Sequence, residues 1–398
     1  MIDINSVQQP TTANRHLAEL YDYGQQDLLA LAKRTTADTP FLLIDLAQIQ
    51  TNCYQLQRLF PKIDIYYAIK ANPSRPILSA VYETGVGFEV ASSNELQQTL
   101  AVTKDIKAII SSHPVKTPHF TQELAKAGAT YFVFDTKCEL DKIAKYARHN
   151  ARVVLRLAVD STGSELALSE KFGAAQEDAI DLMLYAKHIG LDPYGLTFHV
   201  GSQCRDASAW EQALQLCHVI ISDWQRWGEL YVINMGGGFP AKDRKKSCSI
   251  EDIAKVVNDA TKKYLDETVH LMIEPGRFIL DGSGVLVTSV IGHGQRRSKN
   301  WLHIDAGIYG GLFETRDAIE YEMAFDVDST RSFQDYSITG PSCDSLDTPF
   351  PNCKAPHLDI GERVYILNAN AYTTVLSNHF NGFAPAQPIF IGGTPNGV

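Results

Sequence analysis

The stretch Tyr66-Tyr67-Ala68-Ile69-Lys70-Ala71-Asn72-Pro73 decides how the rest of the chain reads. The apolar run from Ile65 to Ile69 predicts a buried strand that ends on a lysine, and Asn72-Pro73 then stops it. A buried ammonium is costly unless it is paired or chemically used. Two readings stand at this point. The lysine reaches solvent where the strand emerges, or its amine serves to form a Schiff base with a carbonyl.

Outward from this stretch the same texture repeats. Short apolar runs predict strands at 65–70, 87–92, 108–112, 131–135, 152–159, 195–201, 232–238 and 270–276. Amphipathic stretches of helical length lie between most of them, among them Gln176 to Ile189, Ala207 to Trp227 and Ile250 to Leu265. Eight strands with connections of crossover length predict an α/β fold, a (β/α)8 barrel. A doubly wound sheet would place a glycine-rich turn straight after the first strand, and Lys70-Ala71-Asn72-Pro73 is not one. Ahead of the barrel runs lie a helix from Asp27 to Lys33, a strand from Phe41 to Leu46 and a helix from Ala47 to Phe60. Beyond about Gly282 the texture changes. Strand-like runs at 285–290, 302–306, 336–339 and 363–367 are separated by Pro, Gly and Asp turns, which predicts a β domain. The expected division is a segment 1–40 joining the β domain, a barrel over 41–282 and a C-terminal β domain over 283–398.

Composition narrows the function classes. The 398 residues carry a net charge of -10, which argues against a partner with a phosphate backbone, so no nucleic acid is expected. No apolar run approaches the roughly 20 residues that span a bilayer, so no membrane is expected. Met1 to Gln9 lacks a basic segment followed by an apolar one, and the seven cysteines are scattered with no C-x-x-C pair. Both features predict a cytoplasmic protein with reduced thiols. No metal is expected.

Barrels of this kind keep their chemistry at the C-terminal ends of the strands. Lys70 ends the first run, Glu89 lies in the second, Arg156 in the fifth and His199 in the sixth. Gly236-Gly237-Gly238 ends the seventh and Glu274-Pro275-Gly276-Arg277 the eighth. Glycines let backbone N–H groups approach a phosphate, and an arginine fork suits its oxygens. The bland alternatives are a flexible turn, an ion pair between Glu274 and Arg277, and a core histidine. A Schiff-base lysine with a phosphate site points to pyridoxal 5'-phosphate, which needs an acid at its ring nitrogen when it acts as an electron sink. Glu274 is the candidate acid, and Ser202 a candidate phosphate donor.

The set Tyr67 to Asn72, Phe198-His199-Val200-Gly201-Ser202, Gly236-Gly237-Gly238-Phe239, Glu274-Pro275-Gly276-Arg277, Gly340-Pro341-Ser342-Cys343-Asp344 and Ala371-Tyr372-Thr373 resembles the fold-type III pyridoxal-phosphate decarboxylases, built like alanine racemase. Leu168 to Gly173 and Phe380-Asn381-Gly382-Phe383 look like the ornithine branch. The resemblance implies that Lys70 holds the cofactor, His199 stacks on its ring and Glu274 pairs with the ring nitrogen. It implies phosphate binding by Gly238, Gly276, Arg277, Ser202 and Tyr372, with Glu89 and Arg156 beside the cofactor, and Gly236 and Gly237 of the triplet are further expected cofactor-binding residues. It further implies a homodimer with shared active sites, in which Cys343 and Asp344 come from the neighbouring copy and Lys171 pairs with Asp347 across the interface. Asp344 would take the distal ammonium of an amino-acid substrate and Cys343 would return a proton to the α-carbon. Tyr309 and Glu322 flank a segment that looks longer than in eukaryotic members, and Glu322 stands where they have an aspartate. The expected reaction is decarboxylation of L-ornithine to putrescine. Lysine or an N-substituted ornithine, and a silent homologue of the antizyme-inhibitor kind, are the alternatives.

Overall fold

The computed structural model describes residues 28–148, 151–166, 171–241, 248–317, 319–327 and 330–392. In chain order its strands begin with β1 (Phe41–Asp45), β2 (Ile63–Ala68), β3 (Gly87–Glu89), β4 (Ile109–Ile110), β5 (Tyr131–Phe134) and β6 (Arg152–Arg156). β7 (Ser164–Leu166), β8 (Asp192–Thr197), β9 (Ser202–Cys204), β10 (Val232–Asn234) and β11 (His270–Ile273) follow. All eight predicted barrel runs are strands, several of them shorter than their apolar stretch. They form one parallel sheet in the order β4-β3-β2-β11-β10-β8-β6-β5. The first and last of them are neighbours, with Leu271 opposite Ile63 and Ile273 opposite Ile65. The sheet therefore wraps into a nearly closed barrel, with β4 and β5 as its two edges.

The helices between strands follow from caps and apolar stripes. Asp45 accepts from the backbone N–H groups of Ala47 and Gln48 and starts the helix Leu46–Leu59. Ser249 and Asp252 form a reciprocal capping box on Ile250–Tyr264, whose Ile253, Ala254, Val257 and Ala260 are buried. Behind the glycine triplet, Phe239 stacks on the fully buried Trp210 at 5.2 Å and meets Phe60 edge-on. This aromatic backing fixes the loop from below.

The second sheet contains β12 (Gly284–Arg296), β13 (Lys299–Ile304), β14 (Met323–Phe325), β15 (Phe333–Thr339), β16 (Phe350–Pro356), β17 (Arg363–Leu367) and β18 (Gln387–Ile391), together with β1. The architecture is thus a TIM barrel with a C-terminal β domain. β1 falls on the other side of the boundary expected at residue 41. It pairs antiparallel with β12 and parallel with β18, so the barrel begins with the helix at Leu46. The reason is visible in its side chains. Leu42 and Ile44 join the large core, whereas Phe41 and Leu43 pack with Leu31, Val287 and Tyr365 on the opposite face. A strand apolar on both faces suits the seam between two units. The helix Leu28–Arg34 packs on this second cluster, in line with an N-terminal segment that joins the β domain, and residues 1–27 of that segment lie outside the described residues.

Candidate active site

Lys70 sits in a single helical turn, Ile69–Ala71, directly after β2. The turn is pinned from several sides. Tyr67 donates its hydroxyl to the carbonyl of Asn72, and Ala68 N–H donates to Pro275 O, just past β11, at 3.1 Å. Fully buried Asn72 donates to Asn370 at 2.8 Å, and Asn370 in turn donates to Ser283 at 2.8 Å. The N–H of Tyr372 donates to Ala71 O at 2.7 Å. The lysine turn and the Tyr372 loop of the β domain are therefore one rigid piece. Tyr372 holds a left-handed backbone, φ 62°, which this network keeps in place.

The Lys70 side chain rises into the open mouth of the barrel with 49% of its surface accessible, and its Nζ lies 4.0 Å from Glu89 Oε2. Desolvation pulls its pKa down, but Glu89, Tyr372 and Glu274 outweigh that and leave it above the ordinary lysine value. Glu274 is buried. Its Oε1 accepts from Ser112 Oγ and from Asn234 Nδ2, the latter at 2.5 Å, while Oε2 takes no hydrogen bond among the described residues. Burial first, then the nearby Glu89 carboxylate, push Glu274 up to about 7. Its local frame is rigid, because Glu274 N–H donates to Gly236 O at 2.8 Å and Gly236 N–H donates to Asn234 Oδ1 at 2.9 Å.

His199 follows β8. Its Nδ1 accepts from Gly201 N–H at 3.0 Å, which leaves the proton on Nε2. Burial, with Lys70 and Arg156 adding to it, holds its pKa well below the usual histidine value, so the ring is neutral. A side chain on Gly237 would meet His199 Nε2 at 3.2 Å and Glu274 O at 2.6 Å. Gly236 and Gly238 have φ of 64° and 100°, and a Cβ on either would strike a carbonyl at 2.3 Å. The triplet thus has to be glycine, and it joins the histidine to the acid. Gly276 caps the turn Arg277–Leu280 and lies against Ala68 and Ala71 of the lysine turn. Arg156 ends β6 with its guanidinium over Phe172 at 5.3 Å. Ser202 opens β9, two residues before Cys204, whose N–H donates to Gly238 O.

Arg277 stacks over the Tyr372 ring at 4.8 Å and is gripped by both oxygens of Glu314. Its Nε is buried without a hydrogen bond. Cys343, Asp344 and Tyr309 form a second group on the β domain. Tyr309 donates its hydroxyl to Asp344 and packs on Phe380 at 4.7 Å. The hydrogen bonds from Tyr309 and from Leu346 N–H hold the Asp344 carboxyl below its ordinary value. Cys343 is exposed, and its N–H donates to Asn381 at 3.0 Å. No hydrogen bond, ion pair or ring contact among the described residues joins this group to Lys70 or Glu274. Glu322 stands apart from both groups, exposed at the rim of a cavity of about 650 Å³ shared with Arg277, Glu320 and Asn368. Asp347 is buried in its own chain and accepts from Ile308 and Ser342 N–H groups, so its carboxylate is already used. Residues 168–170 of the Leu168 to Gly173 motif lie outside the described residues.

Three polar residues of the site escape a reading by sequence: Ser112, Asn234 and Glu314. Asn234 is the last residue of an apolar strand, and a polar side chain at that place on a barrel is the one signal that could have marked it. Ser112 sits in a loop and Glu314 in the short helix Phe313–Asp317, where polar residues are ordinary.

An amine on a half-exposed side chain, a neutral imidazole, a buried acid with one free oxygen and a glycine cradle together define a pyridoxal-phosphate site. The fit rests on two unmet valences. The free Glu274 oxygen matches a protonated ring nitrogen, and the buried Arg277 Nε with the glycine loops matches a phosphate. Residues 46–281 match the family model of the pyridoxal-dependent decarboxylase, pyridoxal binding domain. The chain belongs to this family of pyridoxal-phosphate-dependent amino-acid decarboxylases. It is 33% identical to the lysine/ornithine decarboxylase of Selenomonas ruminantium, covering 94% of both chains. It is 28% identical to antizyme inhibitor 2 of Xenopus laevis over 90% of this chain and 82% of that one. The crystal structure of lysine/ornithine decarboxylase from Vibrio vulnificus complexed with putrescine superposes with a TM-score of 0.83 at 28% identity, covering 98% of this chain and 99% of that one. Among the described residues no helix is long and apolar enough to cross a membrane.

Proposed function

We propose that this chain decarboxylates L-ornithine to putrescine as a homodimer in the cytoplasm, each pocket being completed by the neighbouring copy. The observation that carries the reading is Asp344. It is an ionised carboxylate beside an exposed thiol, without a cationic partner at salt-bridge distance among the described residues, on a face that also exposes Leu346, Val375, Leu376, Phe380 and Phe383. Exposed apolar side chains around a functional pair suit a surface that is covered by a second copy. Relatives whose names or structures pair them with ornithine, lysine, putrescine or cadaverine support a diamine-forming reaction.

Pyridoxal phosphate, when bound, supplies a ring that stabilises the carbanion left by departing carbon dioxide. The remaining work falls to the chain. Lys70 would hold the cofactor through its amine. Gly236, Gly237, Gly238 and Gly276 present backbone to the phosphate, assisted by Ser202, Arg277 and Tyr372. Neutral His199 covers one ring face, and Glu274 holds a proton at the ring nitrogen through its free oxygen. Glu89 and Arg156 set the field around Lys70. Asp344 of the neighbouring copy holds the distal ammonium with Tyr309 steadying it, and Cys343 beside it delivers a proton to the α-carbon. Measuring labelled carbon dioxide from ornithine, lysine, arginine and diaminopimelate tests this reading. Release from none of them would sink it.

A second reading, lysine or an N-substituted ornithine, is favoured by relatives whose names or structures pair them with lysine and cadaverine. A far higher kcat/KM for free ornithine than for every N-substituted analogue would count against it. A silent partner-binding role is disfavoured by the joint presence of Lys70, Glu274 and Cys343.

A further inference from the structure

We infer that Ser112 is a positioning residue that aims Glu274. It pins one carboxylate oxygen so that the other faces the cofactor ring. The inference rests on the assignment of Glu274 to the ring nitrogen proposed above.

Ser112 is buried in the loop after β4, on a different wall from Glu274 after β11. Its hydroxyl donates to Glu274 Oε1. The same oxygen accepts Asn234 Nδ2, which also lies 3.2 Å from Ser112 Oγ and 3.1 Å from the Tyr131 hydroxyl. A hydroxyl has one proton to give, and here it goes to the acid while the amide donates to the hydroxyl. Both donors converge on Oε1, so the carboxylate cannot rotate freely, and Oε2 is left as the one available acceptor. The backbone N–H of Ser112 meanwhile donates to Glu89 Oε1 at 3.4 Å. One loop residue therefore touches both acids of the site and keeps them apart at fixed positions.

The other groups facing Glu274 do not do this job. Lys70, Arg156, Tyr66, Tyr131 and Glu89 act on it through charge. Of these Tyr131 also hydrogen-bonds with Asn234 and Ser112, the two donors to Glu274. Hydrogen bonds to the ionised form lower a carboxyl's pKa, and those from Ser112 and Asn234 oppose the effects of burial and of Glu89. Removing the hydroxyl leaves a buried carboxylate with one donor fewer. The proton that Glu274 should leave on the ring nitrogen would then return to Glu274.

The test compares Ser112→Ala and Ser112→Thr with wild type in two measurements. In protein freed of cofactor, infrared titration of the buried carboxyl, identified by its loss in Glu274→Gln, reads the acid directly. Its midpoint should rise by about one pH unit in Ser112→Ala, a tenfold change in proton affinity, and return in Ser112→Thr. In holoprotein reconstituted with cofactor 15N-labelled in the ring, the nitrogen resonance should move toward the unprotonated value in Ser112→Ala and return with threonine. An unchanged midpoint and resonance in the alanine variant would overturn the inference. Failure of the wild-type protein to bind the cofactor would instead sink the proposed function, and the infrared titration would still judge Ser112.

Discussion

The most informative perturbation is Glu314→Gln. Glu314 and Arg277 are both nearly buried, with 7% and 10% of their side-chain surface accessible, and they meet through two parallel hydrogen bonds. Removing one partner of such a pair leaves an uncompensated buried charge and typically costs 3–5 kcal/mol. The isosteric amide keeps one acceptor, so the low end, about 3 kcal/mol, applies. With an unfolding entropy of roughly 2 cal/mol/K per residue over 398 residues, that loss lowers the Tm of cofactor-free protein by about 4 °C. A bound phosphate dianion restores a counter-charge to Arg277, so the holoprotein should lose much less. By linkage the variant's affinity for cofactor rises by the same difference, up to about a hundredfold. Scanning calorimetry with and without pyridoxal phosphate, paired with a spectrophotometric binding titration, measures both sides. Equal Tm losses in the two states would refute the assignment of Arg277 to the phosphate.

Other outcomes follow from the same geometry. Lys70→Ala should lose the visible absorbance of the lysine-bound cofactor together with nearly all turnover, and a retained band would count against the lysine. Cys343→Ala should bind cofactor normally yet release wrongly protonated products, which chromatography of the reaction mixture would reveal; a normal yield of amine would remove Cys343 from the proton path. Mixing inactive Lys70→Ala with inactive Asp344→Ala should restore roughly a quarter of wild-type activity if copies exchange at random in a two-fold dimer, whereas no recovery would argue that each chain builds its own pocket. Folded Glu274 retains a proton up to about pH 7, while the unfolded group loses it near 4.5. Stability of cofactor-free protein should therefore fall as pH rises through that window, by on the order of 3 kcal/mol. Thermal melts of Glu274→Gln should lack that component of the slope.

The barrel was legible because its signal is local. Apolar runs of strand length, each closed by a polar or glycine punctuation, place Lys70, Glu89, Arg156, His199 and Glu274 at one rim without knowledge of pairing. The β domain was less so. β14 has only three residues, and β16 and β18 carry Pro, Asn or Lys among their apolar residues, so no alternation marks them. The placement of β1 was invisible for another reason: its partners β12 and β18 lie some 240 and 340 residues along the chain, beyond any local pattern. Lysine and glycine motifs announced the cofactor site, but the residues that steer those motifs are single polar side chains contributed by other walls of the barrel. Ser112 and Glu314 acquire meaning only from what the fold sets against them. Asp347 shows the reverse. A carboxylate expected at an interface is buried in its own chain and accepts from the backbone N–H groups of Ile308 and Ser342.

The chain of amides from Asn72 through Asn370 to Ser283 has a bearing on how substrate arrives. It fastens the floor of the pocket to the β lobe of the same copy with wholly buried links. Prising those lobes apart would break the very contacts that hold Lys70 in place. In the proposed dimer, substrate and product would then pass along the outer rim, where loops and a second copy meet, and the pace of release would be governed by that boundary and not by a hinge within one chain.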